Sequence, residues 1–412
     1  MYSKESLKDE EASRLLEANR GVLRLKPAWV SRPFGVPGLR IGLRPEDANG
    51  RSRGPIVERW IASTVTASGS ARPDEGLSYV VPEGCNDCLV ALRDLVKAAG
   101  EELLGREVYK AYGGWPVLAK LLDYWYPIPF HLHHRDEHAK LVNKVGKPEA
   151  YYYPPELNAH EGPFPYLFIG LSPGTSPEDV RACLEAWDKG DNGILYLSQA
   201  YKQRPGTGWL VPAGVLHAPG TLVTFELQRA SDVNAFYQSV RYDGVPMPKE
   251  ALFADFPPDR KGDLGFALEL IDWDENLDPL FKANHYLEPI PVASTSEDAV
   301  KGKYMSRWVI YGHELLSARE VRLGPKAEVV LRDRYPFVIF AVHGYGEIDG
   351  RPLESARSVS LDSLTYDEYF VAEGKAQEGV RVVNKSPSSE LVLIIYGPEG
   401  SSAPRKPKRK LT

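Results

Sequence analysis

Five of the nine histidines of this chain fall between positions 131 and 160, in and just after the run FHLHHRDEHAK. His131 and His133 stand at i and i+2. If that run is a strand, both imidazoles project from one face of a sheet, as two ligands of one ion must. His134 then points the other way. Downstream, GKPEAYYYPP places Glu149 at the head of another strand, after a glycine turn able to return the chain toward the first. In GTGWLVPAGVLHAPG, the turn built by Pro212 and Gly214 delivers His217 to the start of a third strand. Each piece alone reads as ordinary strand residues. Together and in this order, three imidazoles and a carboxylate point to a site for one divalent transition metal, zinc first, with Mn, Fe, Co or Ni as alternatives.

The elements that must carry these residues are mainly β. A chain of 412 residues predicts two domains. Residues 1 to 20 read as a charged amphipathic helical arm. From 21 to 240 short β-runs are cut by Gly and Pro turns, forming the domain that carries the metal motifs. A change of period at about 85 to 125 predicts an inserted group of helices, with VLAKLLDYW continuing helical after the face made by Leu89, Leu92, Leu95 and Val96. A further helix is expected at 176 to 189, where Ser176 precedes a proline and two acids. Residues 241 to 300, rich in proline and acids, read as a connector. A second β-rich block follows at 301 to 400, and the basic end, 401 to 412, reads as a disordered tail. That second block holds only two isolated histidines, His313 and His343, so a structural role is expected of it. Tyr151 to Tyr153 and Trp209 read as core aromatics more readily than as a sugar-binding surface.

Composition narrows the partners. A formal net charge of −6 argues against a polyanion such as nucleic acid and leaves sugars and other small polar molecules open. No apolar run approaches membrane-spanning length. The first residues lack the apolar core of a signal peptide, and Cys85 and Cys88 read as two reduced thiols at a helix start, so the cytoplasm is the expected location.

The spacing from Gly206 through Pro212 and Gly214 to His217 also matches the second cupin motif, G-x5-P-x-G-x2-H. With FHLHHRDEHAK, GKPEAYYY and FELQRASD, the chain resembles the type I mannose-6-phosphate isomerases over residues 21 to 400. Their corresponding runs read Q-V-H-P-D-D-E, G-K-T-E-C-W-Y, P-A-G-T-x-H-A and E-x-x-x-x-S-D. The resemblance implies two cupin (jelly-roll) barrels with an inserted helical subdomain. It also implies an aldose–ketose isomerase that works through an enediol with bound zinc. Carried across, the ligands are His131, where the family usually has glutamine, with His133, Glu149 and His217. Lys147 falls on the family's lysine before the ligand glutamate, and Glu226 and Asp232 fall on its acids beside the substrate. Two positions depart: the family's catalytic arginine falls on Phe236 and a phosphate-binding serine on Pro129, with Arg229 or Arg241 as candidate replacements.

The expected reaction moves a proton between adjacent carbons of a sugar or sugar phosphate. Glu226 or Asp232 is the candidate base, and Lys147 the electrostatic or acid partner. Two other readings stay open at this level. The three-His, one-Glu set also suits a cupin oxygenase, and Phe236 suits a sugar-binding cupin without turnover.

Overall fold

Four antiparallel sheets stack in layers, and the ligand-bearing strands lie in two of them. The computed structural model of the protein describes residues 7–69, 72–294, 299, 301–398 and 403–410. A five-stranded sheet, in the order Ser198–Lys202, Tyr166–Leu171, His217–Ala218, His131–Leu132 and Ala235–Phe236, faces a seven-stranded one. The latter runs Tyr286–Leu287, Gly208–Val211, Glu149–Tyr152, Thr224–Arg229, Val117–Leu122, Ile56–Ile61 and Ala28–Ser31. Tyr151, Tyr153, Trp209 and Val211 from the seven-stranded sheet meet Leu167 and Ile169 from the five-stranded one in a shared apolar cluster. The expected role of these aromatics as core is borne out.

The back of the seven-stranded sheet packs on a nine-stranded sheet. Ala150, Tyr152, Phe225 and Leu121 meet Val338, Phe340, Ile394 and Tyr396 there. A four-stranded sheet covers the far side of the nine-stranded one, through residues such as Val380, Val382 and Ile348. Alternation sets these layers: successive residues of Glu149–Tyr152 point to opposite faces, so Ala150 and Tyr152 enter the rear cluster while Tyr151 enters the front one.

Several sequence expectations change. VLAKLLDYW does not continue the helices. Those run Leu92–Leu104 and Arg106–Tyr112, whereas Val117–Leu122 is a strand inside the seven-stranded sheet, all six residues buried. A mostly apolar run buried on both faces, with Lys120 its one charge, carries no period to separate strand from helix. The first β-run also does not stay with the metal-binding block. Val22–Lys26 pairs with Glu368–Val371 in the nine-stranded sheet, and Tyr286–Leu287 of the connector pairs with Gly208–Val211. The connector is a packed layer, in which Leu252, Phe256, Phe266 and Leu270 cover Phe130, Leu132 and Ala235 on the outer face of the five-stranded sheet. The described part of the basic tail, residues 403–410, is docked: the Arg409 N–H donates to Asn284 Oδ1 at 2.7 Å, and the Lys408 ammonium meets Glu275. Cys85 and Cys88 form a disulfide in a turn, in place of the expected reduced thiols, and the helix starts later, at Leu92.

The helix expected after Ser176 is present as Pro177–Glu185. The Ser176 side chain accepts from the Asp179 N–H, and the Asp179 carboxylate caps Ser176 in return. No helix among the described residues is long and apolar enough to cross a membrane.

One ion pair ties the two halves of the stack. Arg59, 1% exposed, lies 2.6 Å from Asp367 and 3.1 Å from Glu368. Replacing it by methionine strands two buried carboxylates, a cost of about 3–5 kcal/mol. Arg59→Met is expected to lower the thermal midpoint by several degrees in calorimetry, and an unchanged midpoint would show that the pair contributes nothing net.

Candidate metal centre and substrate cavity

The two facing sheets each present a row of polar side chains to the space between them. On the five-stranded sheet, strand register puts Phe236, His131, His217 and Ile169 side by side. His133 follows two residues after His131. The Pro212–Gly214 turn sets His217 in that row. Gly214 has φ +83°, and a Cβ there would meet Asp272 at 3.0–3.1 Å, so glycine is the residue that fits. On the seven-stranded sheet, the register aligns Trp60, Lys120, Glu226, Tyr151 and Trp209 across five strands. Lys147, Glu149 and Tyr151 follow one another at two-residue spacing along one edge of that row.

The imidazoles converge. Side-chain nitrogens of His131, His133 and His217 all lie within 4.8 Å of one another, and all three residues are buried. Each ring uses Nδ1 on a backbone carbonyl: His131 on Pro129 at 2.7 Å, His133 on Val233 at 2.8 Å and His217 on Val215 at 2.9 Å. A carbonyl oxygen only accepts, so Nδ1 carries a proton in each ring and Nε2 is the atom turned inward. Burial first, then the neighbouring cationic groups, holds His133 down to about 3 and His131 well below the usual imidazole value, so both are neutral.

Glu149 completes the set from the opposite sheet. One of its oxygens lies 3.0 Å from His133 Nε2 and the other 3.1 Å from His217 Nε2. Tyr151 donates its hydroxyl to Glu149 and so orients the carboxylate. Burial opposes ionisation of Glu149, but the Lys147 ammonium outweighs it and holds the carboxyl well below its usual range. A carboxylate facing lone pairs with no proton between them is a repulsive arrangement unless a cation sits there. His217 Nε2 and Glu149 Oε2 are both buried without a hydrogen-bond partner. His133 Nε2 and Glu149 Oε2 share the Lys147 ammonium at 2.9 Å. Three imidazole nitrogens and a carboxylate gathered at one point are a donor set that fits a divalent transition metal. The sequence-predicted ligands are therefore brought together. Lys147, also predicted, lies 2.9 Å from Glu149 and 3.7 Å from Glu226.

A cavity of about 380 Å³ opens beside the imidazoles. His131, His133, Lys147, Glu226 and Asp232 line it, together with residues the sequence did not single out: Arg32, Glu58, Lys120 and Tyr124. Glu58 takes hydrogen bonds from Arg32 at 3.0 Å, Tyr124 at 2.5 Å and Trp60 at 2.7 Å. Burial would raise its carboxyl, but Arg32 and Lys120 bring it down to about 2. The two candidate bases separate here. Burial would also raise Asp232, but Arg32, Lys120 and Lys147 hold it below the carboxylate range, and it accepts from the Ser68 N–H at 2.7 Å. Burial, helped by Glu149, raises Glu226 despite Lys147 and Lys120.

The candidate replacement arginines are elsewhere. Arg229 pairs with Asp136 at 2.8 Å and Arg241 pairs with Asp243, and neither lines the cavity. Phe236 does line it, with its ring centroid 5.4 Å from that of His131. The signal for Lys120 was the one charge inside VLAKLL, concealed by reading that run as helix.

Comparison with solved structures places this architecture. The mannose 6-phosphate isomerase of Bacillus subtilis superposes with a TM-score of 0.60 over 91% of this chain and 99% of that one, at 18% identity. The chain has the fold of the mannose-6-phosphate isomerases. A variant of the phosphomannose isomerase from Salmonella typhimurium gives 0.59 over 92% and 99% at 13% identity, and a mannose 6-phosphate isomerase bound with zinc and yttrium gives 0.58 over the same shares at 13%. In sequence, the chain is 34% identical over 133 residues to the Bacillus subtilis (strain 168) protein named probable mannose-6-phosphate isomerase GmuF. That stretch is 31% of this chain and 38% of the relative, so the match spans well under half the relative's length. No protein-family model matches. The resemblance read from the motifs is thus borne out in fold and in this aligned stretch.

His217 sits at the centre of the ligand row yet contributes little to the apolar cores. His217→Ala is expected to lose stoichiometric metal, measured by elemental analysis of the purified protein, while circular dichroism keeps the β-sheet signature. Full metal content in that variant would remove His217 from the ligand set.

Proposed function

We propose that this protein is a metal-dependent aldose–ketose isomerase acting on a sugar or sugar phosphate. One divalent ion, zinc in the first instance, would be held by His131, His133, Glu149 and His217. We read the five- and seven-stranded sheets as a metal-binding cupin barrel, the helices Leu92–Leu104 and Arg106–Tyr112 as its insertion, and the nine- and four-stranded sheets as a second barrel without ligands. The observation that carries the functional reading is the convergence of three inward imidazole nitrogens and the Glu149 carboxylate beside an acid-lined cavity.

The metal, when bound, would polarise the oxygens flanking the two carbons that exchange a proton. This chain's residues would do the rest. Glu226, buried and raised toward neutrality, is suited to take the proton from one carbon and return it to the next through an enediol. Its neighbours Lys147 and Lys120, at 3.7 and 3.4 Å, keep a cation beside the oxygens where negative charge grows. Asp232, tied to Ser68 and facing Arg32 at 3.6 Å, is better suited to holding that guanidinium in place than to moving protons. Phe34, Phe236, Leu122 and Ile128 add apolar surface to the cavity lining and would help keep bulk water from a reactive enediol.

Glu226→Gln is expected to keep its metal and lower interconversion by roughly 10²–10⁴-fold, the usual contribution of a positioned base. Solvent deuterium incorporation from D2O, followed by NMR, reads this directly. Unchanged exchange would move the base to another residue. The three-His, one-Glu set also suits an iron oxygenase. Metal analysis of protein purified without added metal separates the two: iron together with oxygen uptake would replace the isomerase reading.

A further inference from the structure

The cavity's own charges narrow the substrate, on the footing of the isomerase reading above. Three cations line it, and among the described residues each is already engaged. Arg32 spends Nε and Nη2 on Glu58 at 3.0 and 3.3 Å and Nη1 on the Ser68 carbonyl at 3.2 Å, and its Nη2 also faces Asp232 at 3.6 Å. Lys120 lies 3.4 Å from Glu226 and over the Trp60 ring, 4.7 Å from its centroid. Lys147 is 2.9 Å from Glu149. Against these cations the cavity sets four carboxylates, Glu58, Glu226, Asp232 and Asp255.

A phosphate dianion is held by charge-assisted donors, typically an arginine fork or several N–H groups. No such fork is free on this wall, and a dianion entering it would meet carboxylates. Sugar hydroxyls suit it better, because they donate to carboxylates and accept from amides. The side chain of Asn234 and the Glu226 carboxylate, whose Oε1 faces Lys120 at 3.4 Å and Lys147 at 3.7 Å without a hydrogen bond, offer such contacts. We propose that the cavity selects a neutral, unphosphorylated aldose or ketose over its phosphate ester.

The test uses the full chain loaded with zinc. Free hexoses and pentoses and their terminal phosphates are compared by deuterium incorporation and by the shift each causes in the melting temperature. The expected result is a kcat/KM for at least one free sugar 10-fold or more above that of its phosphate ester, with no inhibition by millimolar inorganic phosphate. Turnover of a phosphate ester with equal or higher kcat/KM would overturn the proposal and leave the isomerase reading standing. If neither class turns over, the isomerase reading fails and the melting shifts still decide selection. A shift with free sugar alone supports the neutral-ligand cavity, whereas a shift with the phosphate ester alone, or with neither, refutes it.

Discussion

Everything in the site follows from a conflict that the backbone imposes on four side chains. Three carbonyls, of Pro129, Val233 and Val215, hold a proton on Nδ1 of three histidines and turn their Nε2 atoms toward one point. The opposite sheet then brings Glu149 to 3.0–3.1 Å from two of those nitrogens. With nothing positive between them, four electron-rich groups would be buried against one another, an arrangement that desolvation makes costly. The ammonium of Lys147, 2.9 Å from both Glu149 and His133 Nε2, offsets part of that repulsion. A divalent ion offsets more of it, because it can accept all four lone pairs at once, and its binding energy would then hold the two sheets at a fixed separation.

The same logic of alternating charge continues across the seven-stranded sheet. Lys120 and Glu226 are direct cross-strand partners, with Trp60 beyond one and Tyr151 beyond the other. Because register sets which residues are neighbours, a one-residue slip would send Lys120 and Glu226 into the apolar cluster behind the sheet. The buried charges thus penalise every register but one, and the site and the strand pairing specify each other. Arg32 extends this wall by binding Glu58 and Asp232, which come from separate strands and loops of the same block.

The cluster of candidate ligands was legible in the sequence because metal binding needs rare residue types at spacings that a strand or a turn must satisfy. The i, i+2 pair of His131 and His133, the Pro212–Gly214 turn before His217, and Glu149 after its glycine turn all came together. The ionic wall was not legible. Arg32, Glu58 and Lys120 are common residue types, and their meaning depends on strand neighbours far apart in sequence. Lys120 was concealed further, since VLAKLL is buried on both faces and so shows no period. The place of the first strand was hidden for a related reason: Val22–Lys26 reads as a generic strand, and only its pairing with Glu368–Val371 assigns it to the nine-stranded sheet. The basic tail reads as disordered from composition, yet Asn284 takes its backbone through two hydrogen bonds that no local signal announces.

The second β block contributes no side chain to the imidazole cluster or the cavity lining among the described residues, and it meets the site's strands from behind. The strand Glu149–Tyr152 is held from both sides. Tyr151 points forward and donates to the ligand Glu149, while Tyr152 points back and donates to Glu320 of the second block. Glu320 is itself fixed by Arg307 at 2.8 Å and Arg322 at 2.7 Å. Tyr396, also of that block, donates to the Ile61 carbonyl at 2.9 Å, one residue beyond Trp60 in the ionic row. A proton shuttle loses rate steeply when its groups move by an ångström. A sheet carrying ligands on one face can keep them in place only if its other face is anchored. The second β block is therefore the rear support of the candidate site, and its buried polar contacts lie behind the strands on which Glu149, Glu226 and Lys120 stand.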